Sequence, residues 1–308
     1  HDLRLRALLC VPMIAGDDVY GVIQLAGSDS RLPFSRSDML LLLGIAGQTA
    51  LALANANLHR RTLQQELMDK DLGLAIKIQR SFLPQQTPQH ERYSFAHRYT
   101  PALQVGGDYY GYLEPGGDVA GVAVGDVSGK GVSAALYMAR LASEIRYLSV
   151  GQSRPAPVLE RLNDVLVAGD SDGMFVTLIL CMVDTKLHRM AVANAGHHAP
   201  VVCSASGTVV DLSVPGNVPL GVMPGAKFED ALFELDPGDT VLLYTDGVNE
   251  AENVDGEQFG TERLNAALQA SDRTPEGAAQ TLYDRVMTFA GSAAQSDDIA
   301  VVTFGPKA

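Results

Sequence analysis

Four acidic positions stand where apolar, strand-like runs give way to glycine. They are Asp108 in Gly106-Gly107-Asp108-Tyr109-Tyr110, Asp126 in Gly125-Asp126-Val127-Ser128-Gly129-Lys130-Gly131, Asp246 in Tyr244-Thr245-Asp246-Gly247, and the pair Asp297-Asp298 ahead of Ile299-Ala300. A carboxylate at the edge of a run that would otherwise be buried is costly unless a cation or hydrogen bonds compensate it. Several such carboxylates brought to one place would hold a hard cation, because Mg²⁺ and Mn²⁺ take oxygen ligands and keep some of their waters. Glycine beside them allows the tight backbone and leaves room for carbonyls and water. Taken singly, an Asp-Gly after a strand is ordinary turn chemistry. Four such motifs in one chain make the specific signal.

Other residues invite chemistry and carry plainer readings beside it. His197 and His198 sit in the Gly/Pro-bounded segment Asn194-Ala195-Gly196-His197-His198-Ala199-Pro200. Adjacent histidines do not easily face one site, so a role in holding the turn competes with one near a reaction centre. Lys130 follows a glycine, but Val124 and Gly131 stand where a phosphate-binding loop needs its first glycine and its hydroxyl, which disfavours an ATPase. Lys130 is then either a solvated residue opening the next helix or a contact for phosphate. Gly106-Gly107-Asp108 is similar to the signature of cyclic-dinucleotide-forming cyclases, yet Tyr109-Tyr110 replaces the Glu-Phe that continues it.

The elements that must position these residues are legible as alternating patterns. Strand-like runs cover 93–100, 107–113, 118–126, 174–183, 187–194, 199–203, 208–212, 230–235, 239–245 and 298–304; helix-like runs cover 132–150, 155–168, 260–270 and 275–290. Short turns such as Glu114-Pro115-Gly116-Gly117 and Ser206-Gly207 predict antiparallel pairing. The expected architecture is α+β, a four-layer αββα sandwich of two antiparallel sheets flanked by helices. Upstream, residues 6–25 read as a hairpin around Ala15-Gly16-Asp17-Asp18, and a helix is expected from Ser37-Asp38. Leu63, Leu67, Leu74, Ile78 and Phe82 share one helical stripe, to be covered either by the following domain or by a second copy in a dimer. Pro84 and Pro88 end that helix.

Composition bounds the rest. At 308 residues, 46% hydrophobic and 19% charged, the chain has room for two globular units. Cys10, Cys181 and Cys203 fit neither a disulfide framework nor zinc-ligand spacing, which points to a reducing compartment and a cytoplasmic location. The apolar run 39–54 is broken by Gly44, Gly47, Gln48 and Thr49, so a buried helix is expected there and no membrane span. Residues 1–55 carry a net −1, 56–90 carry +2, and 91–308 carry −14, which would repel nucleic acid and anionic lipid.

Two resemblances organise these observations. The "VPM…GVIQL" hairpin and the "FSRSDMLLL…AGQTALALANANL" helix resemble the C-terminal part of a GAF sensor domain, and the absence of its earlier strands implies a fragment that begins mid-domain. From about Ile78 to Phe304, "IQRSFLP", "GGDYY", "GDVSGKGVSAALYMA", "FVTLIL", "NAGHHAP", "PLGV", "YTDGVNEAEN", "FGTERL" and "SDDIAVVTF" resemble the bacterial PPM-type, protein phosphatase 2C-like (SpoIIE/RsbU-type) metal-dependent phosphatases, which act in sporulation and stress-response partner switching. The layout so implied is a GAF-like part at 1–55, a helical linker at 56–90, which the stripe makes a candidate dimerising helix, and a phosphatase domain at 91–308.

What the second resemblance implies is concrete. Two Mn²⁺ or Mg²⁺ ions would be bridged by Asp126, with the Val127 carbonyl as a further ligand; Asp108 would hold one ion directly or through water, and Asp246 and Asp297 the other, Asp298 being the lesser candidate. Such a pair would activate a water for in-line attack on a phosphoserine or phosphothreonine, with no protein nucleophile. The expected substrate is a phosphorylated anti-sigma factor antagonist. The helix after Asp126 would act as a switch governed by the linker. The rival expectation is a catalytically silent module that binds the same partner.

Overall fold

The structure, a computed structural model, describes residues 7–27, 34–169 and 173–308. By its contacts the chain forms two compact units, residues 1–73 and 74–308.

In the first unit, β1 (Ala7–Ala15) and β2 (Asp18–Gly27) pair antiparallel around a two-residue loop, Gly16-Asp17. Gly16 takes φ +61°, a conformation that favours glycine. α1 (Arg36–Phe82) follows. Its cap is Ser35, earlier than the expected Ser37-Asp38: Ser35 Oγ accepts from the Asp38 N–H at 3.2 Å, and the Asp38 carboxylate accepts from the Ser35 N–H at 2.7 Å. Asp38 therefore serves as the reciprocal partner three residues into a capping box. Leu42 and Ala46 pack on Val11 as a small apolar core.

By length and composition alone α1 could cross a membrane, which the glycine-interrupted run had not led us to expect. Along its stripe Leu63, Leu67, Leu74 and Ile78 are exposed. Of the five, Phe82 alone packs against the core that follows.

The second unit continues with β3 (Tyr93–Thr100), β4 (Tyr109–Gly116), β5 (Val119–Val127), α2 (Val132–Leu148), α3 (Pro155–Ala168), β6 (Val176–Asp184), β7 (Arg189–Ala195), β8 (Val201–Cys203), β9 (Val209–Asp211), β10 (Ala231–Glu234), β11 (Thr240–Tyr244), α4 (Asp246–Asn249), α5 (Gly260–Ala270), α6 (Pro275–Ala290) and β12 (Ile299–Pro306). Two five-stranded sheets result, in the orders β10-β7-β6-β5-β4 and β3-β12-β11-β8-β9. Every pairing among the described residues is antiparallel, as the short turns predict.

Side-chain alternation decides the layers. Val241 and Leu243 of β11, with Val302 and Phe304 of β12, join the core that contains the first sheet. Leu242 and Tyr244, with Ile299 and Val301, turn the other way onto α5 and α6. α2 and α3 cover β4, β5, β6 and β7 on the far side of the first sheet. The unit is thus α+β, with two antiparallel sheets face to face and helices outside.

The edges of the expected runs move in one informative way. Asp108, Thr245 and Asp298, which those runs touched or included, all fall just outside β4, β11 and β12, and Asp246 opens the unexpected single-turn helix α4. At each of these positions the chain leaves the ladder to present a polar group.

Candidate active site

Antiparallel register is what gathers the acidic residues. Tyr109 at the start of β4 pairs with Gly125 near the end of β5, so Asp108 and Asp126, each one residue further on, emerge side by side. Tyr244 at the end of β11 pairs with Val301 of β12, so Asp246 and Asp297-Asp298 leave the second sheet at one end as well.

Hydrogen bonds join the two ends. The Thr245 hydroxyl, fully buried, donates to Asp108 Oδ2 at 2.6 Å and accepts from the Ala300 N–H at 3.0 Å. Asp298 reaches back across the sheets, accepting from the Ala102 N–H at 2.8 Å and the Asp108 N–H at 3.3 Å. It is a buried anchor for the loop that carries Asp108.

The glycines work by proximity. A Cβ on Gly107 would lie 2.9 Å from the Val127 carbonyl oxygen and 3.4 Å from Asp126 Oδ1. One on Gly247 would lie 2.0 Å from the Asp298 carbonyl oxygen. Gly106 is gripped through its backbone: its N–H donates to Gln79 Oε1 at 3.3 Å, and its carbonyl accepts from Gln79 Nε2. Gln79, near the end of α1, is itself buried.

The carboxylates feel one another. Burial holds Asp108 well above the ordinary carboxylate range, and the charges of Asp126, Asp298 and Asp246 add to it, against the Thr245 hydrogen bond. Asp126 is pushed up to about 7, first by burial and then by Asp246, Asp297 and Asp298. Burial also raises Asp298, against the backbone donors it accepts. Such uncompensated carboxylates are the surroundings that suit a cation.

Asp126 and Asp246 share a cleft of about 190 Å³ with Thr177, Gly196, His197 and His198. Asp108 does not line this cleft. Asp297 is partly exposed, its Oδ2 bound by Lys130 Nζ at 2.8 Å. Among the described residues no three acidic, cysteine or histidine side chains close on a single point. The donor chemistry, carboxylates with a backbone carbonyl such as that of Val127 and room for water, suits Mg²⁺ and Mn²⁺, which take oxygen ligands and keep several waters.

His197 proves to be a strut. Its Nε2 lies 3.1 Å from the Tyr244 carbonyl, which only accepts, so Nε2 carries the hydrogen and Nδ1 accepts from the Thr177 hydroxyl at 2.9 Å. Thr177 lies opposite Asp126 across β5 and β6. The ring therefore ties the strand beside Asp126 to the chain two residues before Asp246. Burial, with His198 alongside, pushes its pKa down to about 3, and Asn194 clasps its backbone. His198 stacks on the Tyr244 ring at 5.2 Å between centroids.

Thr245, Gln79 and Thr177 escaped the sequence reading. Thr245 and Gln79 lie inside "YTDGVNEAEN" and "IQRSFLP", among other polar residues that give neither of them a local signal of burial.

Residues 116–306 match the family described as stage II sporulation protein E (SpoIIE), and residues 1–53 match the GAF domain. The chain is 30% identical to phosphoserine phosphatase RsbU of Bacillus subtilis (strain 168) over 64% of its length and 58% of that protein. It is 26% identical to protein IcfG of Synechocystis sp. over 84% of its length and 45% of that protein. It thus spans about half the length of the curated relatives it matches. Its fold is similar to the SiaA-PP2C domain of Pseudomonas aeruginosa, with a TM-score of 0.68 and 25% identity over 79% of this chain and 98% of that one. With Asp126 and Asp246, one from each sheet, lining one cleft, and a family match over residues 116–306, more than half of the sequence, the chain belongs to the stage II sporulation protein E (SpoIIE) family.

Proposed function

We propose that the chain is a metal-dependent protein serine/threonine phosphatase whose substrate is the phosphorylated form of an anti-sigma factor antagonist. The observation that carries this reading is the gathering of carboxylates from two sheets, Asp126 and Asp246 on one open cleft and Asp108 beside Asp126, where burial first and neighbouring carboxylates second raise Asp108 and Asp126. The similarity to RsbU of Bacillus subtilis, a phosphoserine phosphatase, supports it.

In this reading Asp108, Asp126, the Val127 carbonyl, Asp246 and Asp297 would hold two Mn²⁺ or Mg²⁺ ions. Such ions supply Lewis acidity toward phosphoryl oxygens and make bound water more acidic. The chain's own residues set the geometry. Thr245 fixes the rotamer of Asp108, Asp298 fixes the loop behind it, and His197 fixes the spacing between the strands that present Asp126 and Asp246. His197 is not placed to act as a general acid or base, because it is neutral and both ring nitrogens, Nε2–H included, are engaged in hydrogen bonds. Electrostatics and positioning then carry the reaction, as suits phosphoryl transfer.

The layout we assign is a GAF-like part at 1–55, a linker at 56–90 and the phosphatase domain at 91–308, in a cytoplasmic protein. Free cysteines, two of them buried, agree with that compartment. The exposed Leu63, Leu67, Leu74 and Ile78 are assigned to a homodimer through the linker helix.

The test is release of phosphate from a phosphoserine peptide by the full chain in Mn²⁺. Turnover is expected to stop on chelation and in Asp246→Asn. Near-normal turnover by that variant would overturn the ligand assignment, and tight binding of the phosphoprotein without hydrolysis would establish the silent module instead.

A further inference from the structure

Asp297, the partly exposed member of the carboxylate group, is bound by a side chain of the protein itself. Lys130 lies between Gly129 and Gly131, which take φ +93° and +81°. That backbone shape is open to glycine and strained for other residues, and it carries the lysine out of the β5–α2 loop toward the other sheet. There Nζ donates to Asp297 Oδ2 at 2.8 Å and to the Ser296 carbonyl at 2.7 Å. Donor and acceptors stand 166 and 167 residues apart in the chain, so the contact is built by the fold. Lys130 is 54% exposed and Asp297 40%, so the pair is open to water and exchangeable. Asp246 and Asp298 add to the negative field at this ammonium.

Taking the metal-dependent reading above as its basis, we propose that Lys130 is a resident counter-cation of the ion centre, holding Asp297 until a divalent ion displaces it. Sharing Asp297 is costly, because Oδ1 already accepts from the Asp298 N–H at 2.9 Å and Oδ2 from Lys130. An ammonium within hydrogen-bond reach of a carboxylate that also binds a divalent cation would meet strong like-charge repulsion at that distance. Loading is therefore an exchange in which the Lys130–Asp297 and Lys130–Ser296 bonds break and the ammonium swings into solvent on its flexible stem. The exchange sets the metal concentration at which the centre fills, and keeps one carboxylate neutralised while it is empty.

An ion pair this exposed shifts such an equilibrium by a small factor, so Lys130→Met is expected to lower the Mn²⁺ dissociation constant by about two- to fivefold. Lys130→Arg should stay near the parent value. The experiment is calorimetric titration of the full chain and both variants with MnCl₂ in low salt, repeated at high salt, where screening should narrow the difference. Equal or weaker Mn²⁺ binding by Lys130→Met would overturn the exchange while leaving the phosphatase reading intact. Lys130→Arg binding as tightly as Lys130→Met would show that charge is not the cause. No Mn²⁺ binding by the parent would overturn both.

Discussion

Asp126→Asn should stabilise the metal-free protein while removing its activity. In the folded chain the Asp126 carboxyl is held at about 7, against an ordinary value of 3.8, by burial and by Asp246, Asp297 and Asp298. The folded state then binds more protons than the unfolded one between those two values, so stability falls as pH rises from about 4 to about 7 and levels off above. Full expression of a shift of about three units would be about 4 kcal/mol, and the open cleft screens it to about 2 kcal/mol. Asparagine keeps the shape and drops the charge, so at pH 8 without metal the variant should melt about 4–8 °C above the parent, given a unit of this size. At pH 4 the two should melt together. Excess Mn²⁺ should reverse the order, because the parent gains binding energy that the variant has lost. Thermal unfolding at both pH values, with and without Mn²⁺, reads all of this, alongside phosphate release. A metal-free variant that melts below the parent at pH 8, or the same gap at both pH values, would refute the electrostatic reasoning.

His197→Ala should cost about 1–3 kcal/mol by leaving the Thr177 hydroxyl and the Tyr244 carbonyl without their ring partner, and should weaken Mn²⁺ binding with it. Because His197 stays neutral above about pH 4, its removal should leave the shape of the pH–rate profile unchanged; lost turnover at full stability would give it a direct chemical role instead. Leu74→Glu and Ile78→Glu place a charge on exposed linker positions and should shift a dimer to monomer in light scattering, with a change in turnover; unaltered mass and rate would remove the dimer assignment.

The parts of this architecture that were legible in the sequence are those written in local periodicity. The unbroken apolar run Val241-Leu242-Leu243-Tyr244 names a strand buried on both faces, and the glycine after Asp246 marks where it must stop. Once strands and tight turns are recognised, antiparallel pairing follows, and with it the arrival of neighbouring strand ends at one edge. Asp108 beside Asp126 is therefore readable in principle from register alone.

What was not legible depends on contacts that no local pattern encodes. Thr245 meets Asp108 across 137 residues, and Asp298 meets the Asp108 backbone across 190. Whether an aspartate at a strand end becomes a ligand or an anchor is settled by which backbone donors happen to face it, and in the pair Asp297-Asp298 the residues differ by one position and one direction. Asp298 turns inward to the N–H groups of Ala102 and Asp108, while Asp297 turns outward to Lys130. The same logic explains Lys130, which from sequence could be a solvated helix opener or a phosphate contact. Its backbone places it between two glycines of the loop, but its meaning comes from an acceptor supplied by the other sheet. An inward carboxylate satisfied by fixed dipoles has little left to offer an ion, whereas an outward one neutralised by a mobile ammonium keeps its charge exchangeable. On that asymmetry rests the proposal of Asp297 rather than Asp298 as an ion ligand, and it arises only when both sheets are in place.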